Sequence, residues 1–258
     1  MTDNNDKFNP HFLNHRKHKE DTLIVEEEQK GGNLNFGPYV AMYYAHQELL
    51  EGLTERGQKL IPGSVNENLA GIIEDQRGFP LEDKKWFIKE FQRYINEYVK
   101  ASANYIGQPF TEDRFSTKFT LMNLWINYMK ENEANPEHTH EGMLSWVIFL
   151  NTPDLTEERK NYKGKSFGPG GITFHYGEQA NPTWAEHSYG YNPQMGGMWI
   201  FPAQLRHQVI PFKTKGTRIS VSGNLYFNHP KDVSKTLEEV KLQKEQRSFA
   251  SRIAAEIK

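Results

Sequence analysis

GMWIFPAQLRHQVIPFKTKGTRISVSGNLYF, residues 197–227, is the stretch that decides the fold. It divides into three β-rich runs: 198–201, stopped by Pro202; 207–210, stopped by Pro211; and 217–227, reached through the turn at Lys215 and Gly216. In the last run Arg218, Ser220 and Ser222 alternate with Ile219 and Val221. A strand's period of two therefore puts a cation and two hydroxyls on one face and the aliphatic pair on the other. A solvated sheet face is the ordinary explanation of such alternation. Arg218 and Ser220 also suit a carboxylate clamp. A guanidinium fork binds a carboxylate bidentately, and a hydroxyl two residues on, roughly 6.7 Å along the strand, reaches the same anion. His207 precedes Arg218 by eleven residues and is expected on the neighbouring strand. An imidazole beside an anion clamp suits a metal site with a chelating acid.

Upstream, further short β-rich runs cover 117–129, 143–150 and 171–176, with turn signals between them and no intervening helical period. That pattern argues for an antiparallel sandwich or barrel. Residues 151–170 read as loop, and 177–197, rich in Gly, Pro, Asn and Tyr, as a long loop covering one mouth. Immediately before the run at 143 stands Asn135-Pro-Glu-His-Thr-His-Glu-Gly142. In an extended segment His138 and His140 project to the same side, the geometry for two ligands on one metal. Paired with His207 at another strand start and then Arg218-x-Ser220, the histidines form a constellation rather than a chance pair.

The rest of the chain frames this β region. Residues 1–33 are polar, with His15-Arg16-Lys17-His18-Lys19 followed by Glu26-Glu27-Glu28, and read as a flexible arm. Residues 39–56 read as an amphipathic helix closed by Gly57, and 66–73 as a short apolar segment. A stronger helix is expected over 82–105, where Phe87, Phe91, Tyr94, Ile95, Tyr98 and Val99 recur at helical spacing. Its stripe is core, packed on a sheet as a buttress. After Pro230, residues 232–258 read as a charged helix with a thin apolar stripe, expected to dock on the body or on a second copy in a homo-oligomer. The domain division is thus 1–33 arm, 34–110 helical buttress, 111–229 β core and 230–258 C-terminal helix, giving a mainly β fold with flanking helices.

Composition sets bounds on function. The chain of 258 residues, 36% hydrophobic, is long enough for one sizeable core. A net charge of −2 makes no case for nucleic acid or an anionic membrane as partner. There is no cysteine, so thiolate nucleophiles, thiolate metal sites and disulfides are excluded, and any metal takes nitrogen and oxygen ligands. With no long apolar run or apolar leader in the sequence, a soluble cytoplasmic protein is expected.

With these residues in view, the sequence resembles the iron(II) and 2-oxoglutarate-dependent oxygenases, and within them a group from marine microbes and their phages. The resemblance rests on Asn68-Leu69-Ala70-Gly71, Trp125-Ile126-Asn127, His138-x-His140 followed by Leu144-Ser145, Phe201-Pro202-x-x-x-x-His207-x-x-x-Pro211, and Arg218-Ile219-Ser220-x-Ser222. It implies a double-stranded β-helix, a jelly-roll or cupin-like barrel, with Fe(II) on His138, His140 and His207. It also implies 2-oxoglutarate chelating that iron, its distal carboxylate on Arg218 and Ser220, and O2 in the remaining place. The implied activity is a hydroxylase-type dioxygenase acting on a small molecule or a protein side chain. Asn127 and Tyr128 lie on a strand feeding the site and are candidates to touch the cosubstrate.

The superfamily's usual ligand set contains a carboxylate where His140 stands. Three readings are open: an all-histidine face, which the resemblance favours; Glu137 or Glu141 as the anion, though strand alternation points both away; or a halogenase-like vacancy. Two rival functions are weighed as well. A cupin-type dioxygenase or isomerase would place a glutamate shortly after the His pair, where Leu144 and Ser145 stand. A non-enzymatic jelly-roll module would use the histidines to staple a loop through zinc. Trp125, Trp146 and Trp199 read as core; Trp184, His175 and His187 belong to the covering region, where surface histidine is the default and substrate contact the alternative.

Overall fold

The computed structural model describes residues 33–35, 37–65, 71–108, 110–112, 114–177 and 187–228. The expected N-terminal arm and C-terminal helix, most of the 66–73 segment, and Trp184 lie outside them. In chain order the elements are β1 (Asn33–Asn35), β2 (Tyr39–Tyr44), α1 (Gln47–Gln58), β3 (Gln76–Gly78), α2 (Leu81–Tyr105), β4 (Phe119–Met129), β5 (Asn135–His138) and β6 (Leu144–Asn151). There follow α3 (Thr156–Lys160), β7 (Ile172–His175), β8 (Ser188–Tyr191), β9 (Gly197–Pro202), β10 (Arg206–Val209) and β11 (Arg218–Phe227).

All strand pairs are antiparallel and fall into two sheets, one ordered β1-β2-β9-β6-β11-β4-β3 and the other β5-β10-β7-β8. From β4 to β11 the chain alternates between the sheets, crossing at every step but the β7–β8 hairpin. Eight strands wound this way make a double-sheet jelly roll, the double-stranded β-helix. Strands β1, β2 and β3 widen the larger sheet at its two edges.

The period of two in the larger sheet builds two cores. Residues directly opposite in an antiparallel pair share a face. Val221, Ile148, Ile126 and Met198 face outward with Trp146 and Leu225, where α1 and α2 cover them. The aromatic stripe of α2 does the covering: Phe87 stacks on Trp146 at 5.6 Å between centroids and Phe91 lies 4.7 Å from it. Burying a side chain of this size stabilises by about 1.5–3 kcal/mol, so this face is the largest apolar contribution to the fold. Inward, Val40, Met42, Val147, Phe149, Phe174, Trp199 and Phe201 fill one half of the barrel. No helix among the described residues is long and apolar enough to cross a membrane.

Four expectations need correction. Residues 39–44 form strand β2, not the first turns of a helix. Their alternation, Val40 and Met42 inward against Ala41 outward, matches a sheet edge and pairs with β9, so tertiary pairing overrides a pattern that also fits a helix. Gly57 lies inside α1 rather than ending it, buried where a Cβ would meet Ile126 Cδ1 at 2.6 Å. The presumed loops contain α3 and β8, elements of five and four residues, too short to show a period. Finally, His207 is not on the strand next to Arg218: β10 belongs to the smaller sheet and β11 to the larger, so the two residues face each other from opposite walls.

Candidate active site in the barrel

The inward face of β11 carries Arg218, Ser220, Ser222 and Asn224, all buried. Register places Met129, Asn127, Trp125 and Asn123 of β4 opposite them in turn. The alternation read from the sequence is real, but its polar face lies in the barrel interior and not in solvent. Together with residues from the facing sheet, these side chains line a cavity of ≈ 1050 Å³.

Three histidines meet on the far wall. Pairing of β5 with β10 sets His138 opposite His207. His140, just past the end of β5, is fixed by its backbone N–H donating to Ala203 O at 2.8 Å and by Gln204 Nε2 donating to its carbonyl at 2.9 Å. One ring nitrogen from each of the three lies within 4.8 Å of the others, and His140 Nε2 and His207 Nε2 are 3.2 Å apart. Two nitrogens at right angles on one ion, each about 2.1 Å from it, stand about 3.0 Å apart, so the donor set fits a metal.

The tautomers agree with that use. His207 Nδ1 donates to Leu205 O at 2.9 Å and His138 Nδ1 to Pro136 O at 2.7 Å, which leaves Nε2 of each as an acceptor: that of His207 faces His140, and that of His138 accepts from Asn135 Nδ2 at 3.3 Å, a bond a metal would replace. Burial, with the neighbouring histidines, holds His207 well below the ordinary imidazole range and pushes His140 down to about 3. His138 is lowered mainly by burial. Neutral imidazoles are the form a metal requires. Trp125, read from the sequence as core, borders the cluster with its ring 5.7 Å from that of His140.

Neither nearby carboxylate joins the cluster. Glu137 points to the outer face of the smaller sheet, where it pairs with Arg206 at 3.2 Å and approaches His175 at 4.0 Å. Glu141 lines the cavity but is not among the grouped donors. His175 faces outward beside Gln208 Nε2, 3.3 Å away.

At the inner end stands Arg218, 4% exposed. Its Nη1 donates to Met129 Sδ at 3.4 Å, its guanidinium lies over the Phe149 ring at 5.0 Å, and its Nε has no hydrogen-bond partner. Burial, aided by the Arg159 cation, pushes its pKa down to about 9. Among the described residues no carboxylate pairs with it. A buried cation without a counter-ion is costly, and such a group is the mark of a site built for an anion. Ser220 lies on the same face two residues outward.

Asn127 also faces the cavity, opposite Ser220, with its carboxamide paired to that of Gln76 at 2.6 Å. Tyr128 points the other way and stacks under Arg77, whose guanidinium is 4.1 Å from the ring, so it does not reach the cavity core. Sequence reasoning missed Gln76 and Asn224. Asn224 continues the alternation of Arg218, Ser220 and Ser222 by one step and could have been read; Gln76 reaches the site only because β3 pairs with β4, which no local pattern announces.

Residues 123–228 match the profile of a protein family described as "Putative 2OG-Fe(II) oxygenase". The match is to that family and does not single out the marine and phage group. No curated protein matches the chain. Among solved structures, the chain resembles an oxidoreductase of the 2OG-Fe(II) oxygenase family from Burkholderia pseudomallei, 14% identical over 72% of this chain and 83% of that one, with a TM-score of 0.47. It also resembles a prolyl-4-hydroxylase from Pseudomonas putida, 12% identical over 74% and 94% of the two chains, with a TM-score of 0.45. A third likeness is to the alpha-ketoglutarate-dependent epimerase SnoN from nogalamycin biosynthesis, 15% identical over 73% and 76%, with a TM-score of 0.42.

Proposed function

We propose, from the match of residues 123–228 to the 2OG-Fe(II) oxygenase family, that the chain is a hydroxylase-type dioxygenase in which His138, His140 and His207 hold the iron and Arg218 receives the cosubstrate. Iron with 2-oxoglutarate supplies the oxidising power: O2 and 2-oxoglutarate give succinate and CO2, and one oxygen atom converts a substrate C–H to C–OH. Everything else falls to the protein. One ring nitrogen from each of the three histidines would hold the cation, and Leu205 O and Pro136 O keep two of the rings in the tautomer this needs. Arg218 and Ser220 would bind the distal carboxylate at depth, and Phe149, opposite Ser220 and under the guanidinium, keeps water from that end. Trp125 walls the cavity beside His140.

The observation that carries the reading is the buried Arg218, without a carboxylate partner among the described residues, in the same cavity as three neutral histidines. A cupin-type enzyme has no use for that cation, and a zinc staple has no use for the cavity. The substrate is a small molecule or a protein side chain, in keeping with ≈ 1050 Å³, more than the cosubstrate alone fills. A cytoplasmic setting belongs to the same proposal, supported by the cysteine-free sequence.

The test is an anaerobic titration of metal-free protein with Fe(II) and then 2-oxoglutarate. A weak visible charge-transfer band should appear on adding the acid. Bound iron with no band on saturation with 2-oxoglutarate would refute the chelation and return the chain to the cupin or structural readings.

A further inference from the structure

β11 sets a depth scale for the cavity. Arg218 is innermost, Ser222 stands opposite Trp125 at the level of the histidines, and Asn224 is one pleat, roughly 6.7 Å, farther out. A cosubstrate reaching from Arg218 to the histidines leaves Asn224 on the opposite side of the metal site, where a substrate would lie. Asn224 is 4% exposed, and its buried Oδ1 has no hydrogen-bond partner among the described residues. This sets it apart from Asn127, whose carboxamide is paired to that of Gln76 at 2.6 Å. Directly opposite Asn224, on the same face, are Asn123 of β4 and Ser145 of β6. Ser145 Oγ donates to Gly223 O and is occupied. Asn123 also lines the cavity.

We infer that Asn224, with Asn123 beside it, is the substrate-reading subsite and takes an uncharged amide. A buried acceptor left open requires a donor from the ligand, since an unmatched one costs about 1–3 kcal/mol. Two carboxamides on directly opposed strand positions, with Cβ atoms about 5 Å apart, present a donor and an acceptor to one edge of a ligand. An amide has the matching edge. The immediate strand neighbours on this face, Ser222, Asn123 and Ser145, are neutral, so the groups set directly beside Asn224 suit an uncharged partner, while the cavity's charged lining residues, Lys84 and Glu141, come from outside these strands. A polar subsite of this kind rejects a ligand lacking the donor more strongly than an apolar pocket rejects a misfit.

The inference rests on the oxygenase reading for its placement of the substrate, and the test separates the two. Benzamide, methyl benzoate and benzoate are titrated into 15N-labelled metal-free protein while the side-chain carboxamide signals are followed. Benzamide should shift the Asn224 and Asn123 signals and bind at least tenfold more tightly than the ester or the acid. In Asn224→Leu it should fall to the level of the ester. Because Leu is nearly isosteric and removes an unpaired acceptor, that variant should melt no lower than wild type, whereas a structural asparagine would lower the melting temperature. Asn123→Leu serves as the second variant and should weaken benzamide alone. Benzamide binding equal to the ester, or unmoved by both substitutions, would overturn the inference. A preserved amide preference in a protein that shows no 2-oxoglutarate band would sink the oxygenase reading and leave the subsite standing.

Discussion

Replacing Arg218 by methionine should separate stability from cosubstrate binding in opposite directions. Methionine has a similar length and no charge, so it fills the space between Phe149 and Met129 without leaving a cation to solvate. In the unliganded protein the guanidinium is 4% exposed, its Nε is unpaired, and no carboxylate among the described residues offsets it. Exchanging buried charge for packed apolar side chain is commonly neutral or stabilising by about 1–4 kcal/mol. For a chain of this size each kcal/mol moves the melting temperature by about 2–4 °C, so the unliganded variant should melt at wild-type temperature or several degrees above it. With 2-oxoglutarate the sign reverses. Losing one partner of a buried, hydrogen-bonded ion pair costs about 2–5 kcal/mol, which is at least about 27-fold in Kd. Calorimetry and thermal melts with and without 2-oxoglutarate in the presence of a redox-inert divalent metal read both quantities on one sample. A variant that melts clearly lower without ligand would show that Arg218 is a structural cation, and unchanged cosubstrate affinity would refute the clamp.

Two further substitutions test the metal cluster and the support of the clamp. His207→Ala should abolish stoichiometric metal binding, whereas Glu137→Gln, which alters a carboxylate turned toward Arg206 on the outer face, should leave metal content at wild-type level; equal loss in both would revive Glu137 as a ligand. Glu158 accepts hydrogen bonds from Lys213 N, Thr214 N and Thr214 Oγ1, fixing the approach to β11. Burial acts to raise its pKa, but these bonds outweigh that and hold it below its ordinary 4.5, so its stabilisation is complete above pH 4.5 and is lost as the pH falls through the lowered value. Glu158→Gln should accordingly weaken the acid dependence of stability below pH 4.5 relative to wild type, and superimposable acid limbs would refute the link.

Much of the candidate site was legible because it is written with a period of two in consecutive residues. Arg218, Ser220 and Ser222 needed only alternation, and His138-x-His140 only an extended segment. What alternation does not carry is which face is inside. A polar stripe on a strand usually meets water, and here it lines a cavity because the aliphatic stripe beneath it is claimed by the aromatic face of α2. The aromatic periodicity of α2 was itself plain, and the helix spans Leu81–Tyr105 against an expected 82–105. Strand β2 was hidden for the converse reason: six residues beginning with Tyr39 satisfy both periods, and only pairing with β9 decides between them. Gln76 and the opposition of His207 to Arg218 are products of sheet order, which short-range pattern does not encode.

The two faces of β11 make the site's precision a consequence of the fold's stability. Pairing with β4 extends from Arg218 to Phe227, and β6 holds the other edge from Ile219 to Leu225. A slip of one residue would turn Val221 and Leu225 into the polar cavity and drive Arg218 and Asn224 against Trp146 and α2. The apolar contacts that forbid the slip lie on the outer face, away from the cavity lining. The order of ligands along the strand is therefore enforced from outside: Arg218 and Ser220 deepest, Ser222 and Trp125 level with the histidines, and Asn224 farther out. Residues facing the cavity are left free to be chosen for chemistry, and that freedom is how the barrel tolerates a guanidinium with no carboxylate partner and an open carboxamide oxygen among the described residues of its interior.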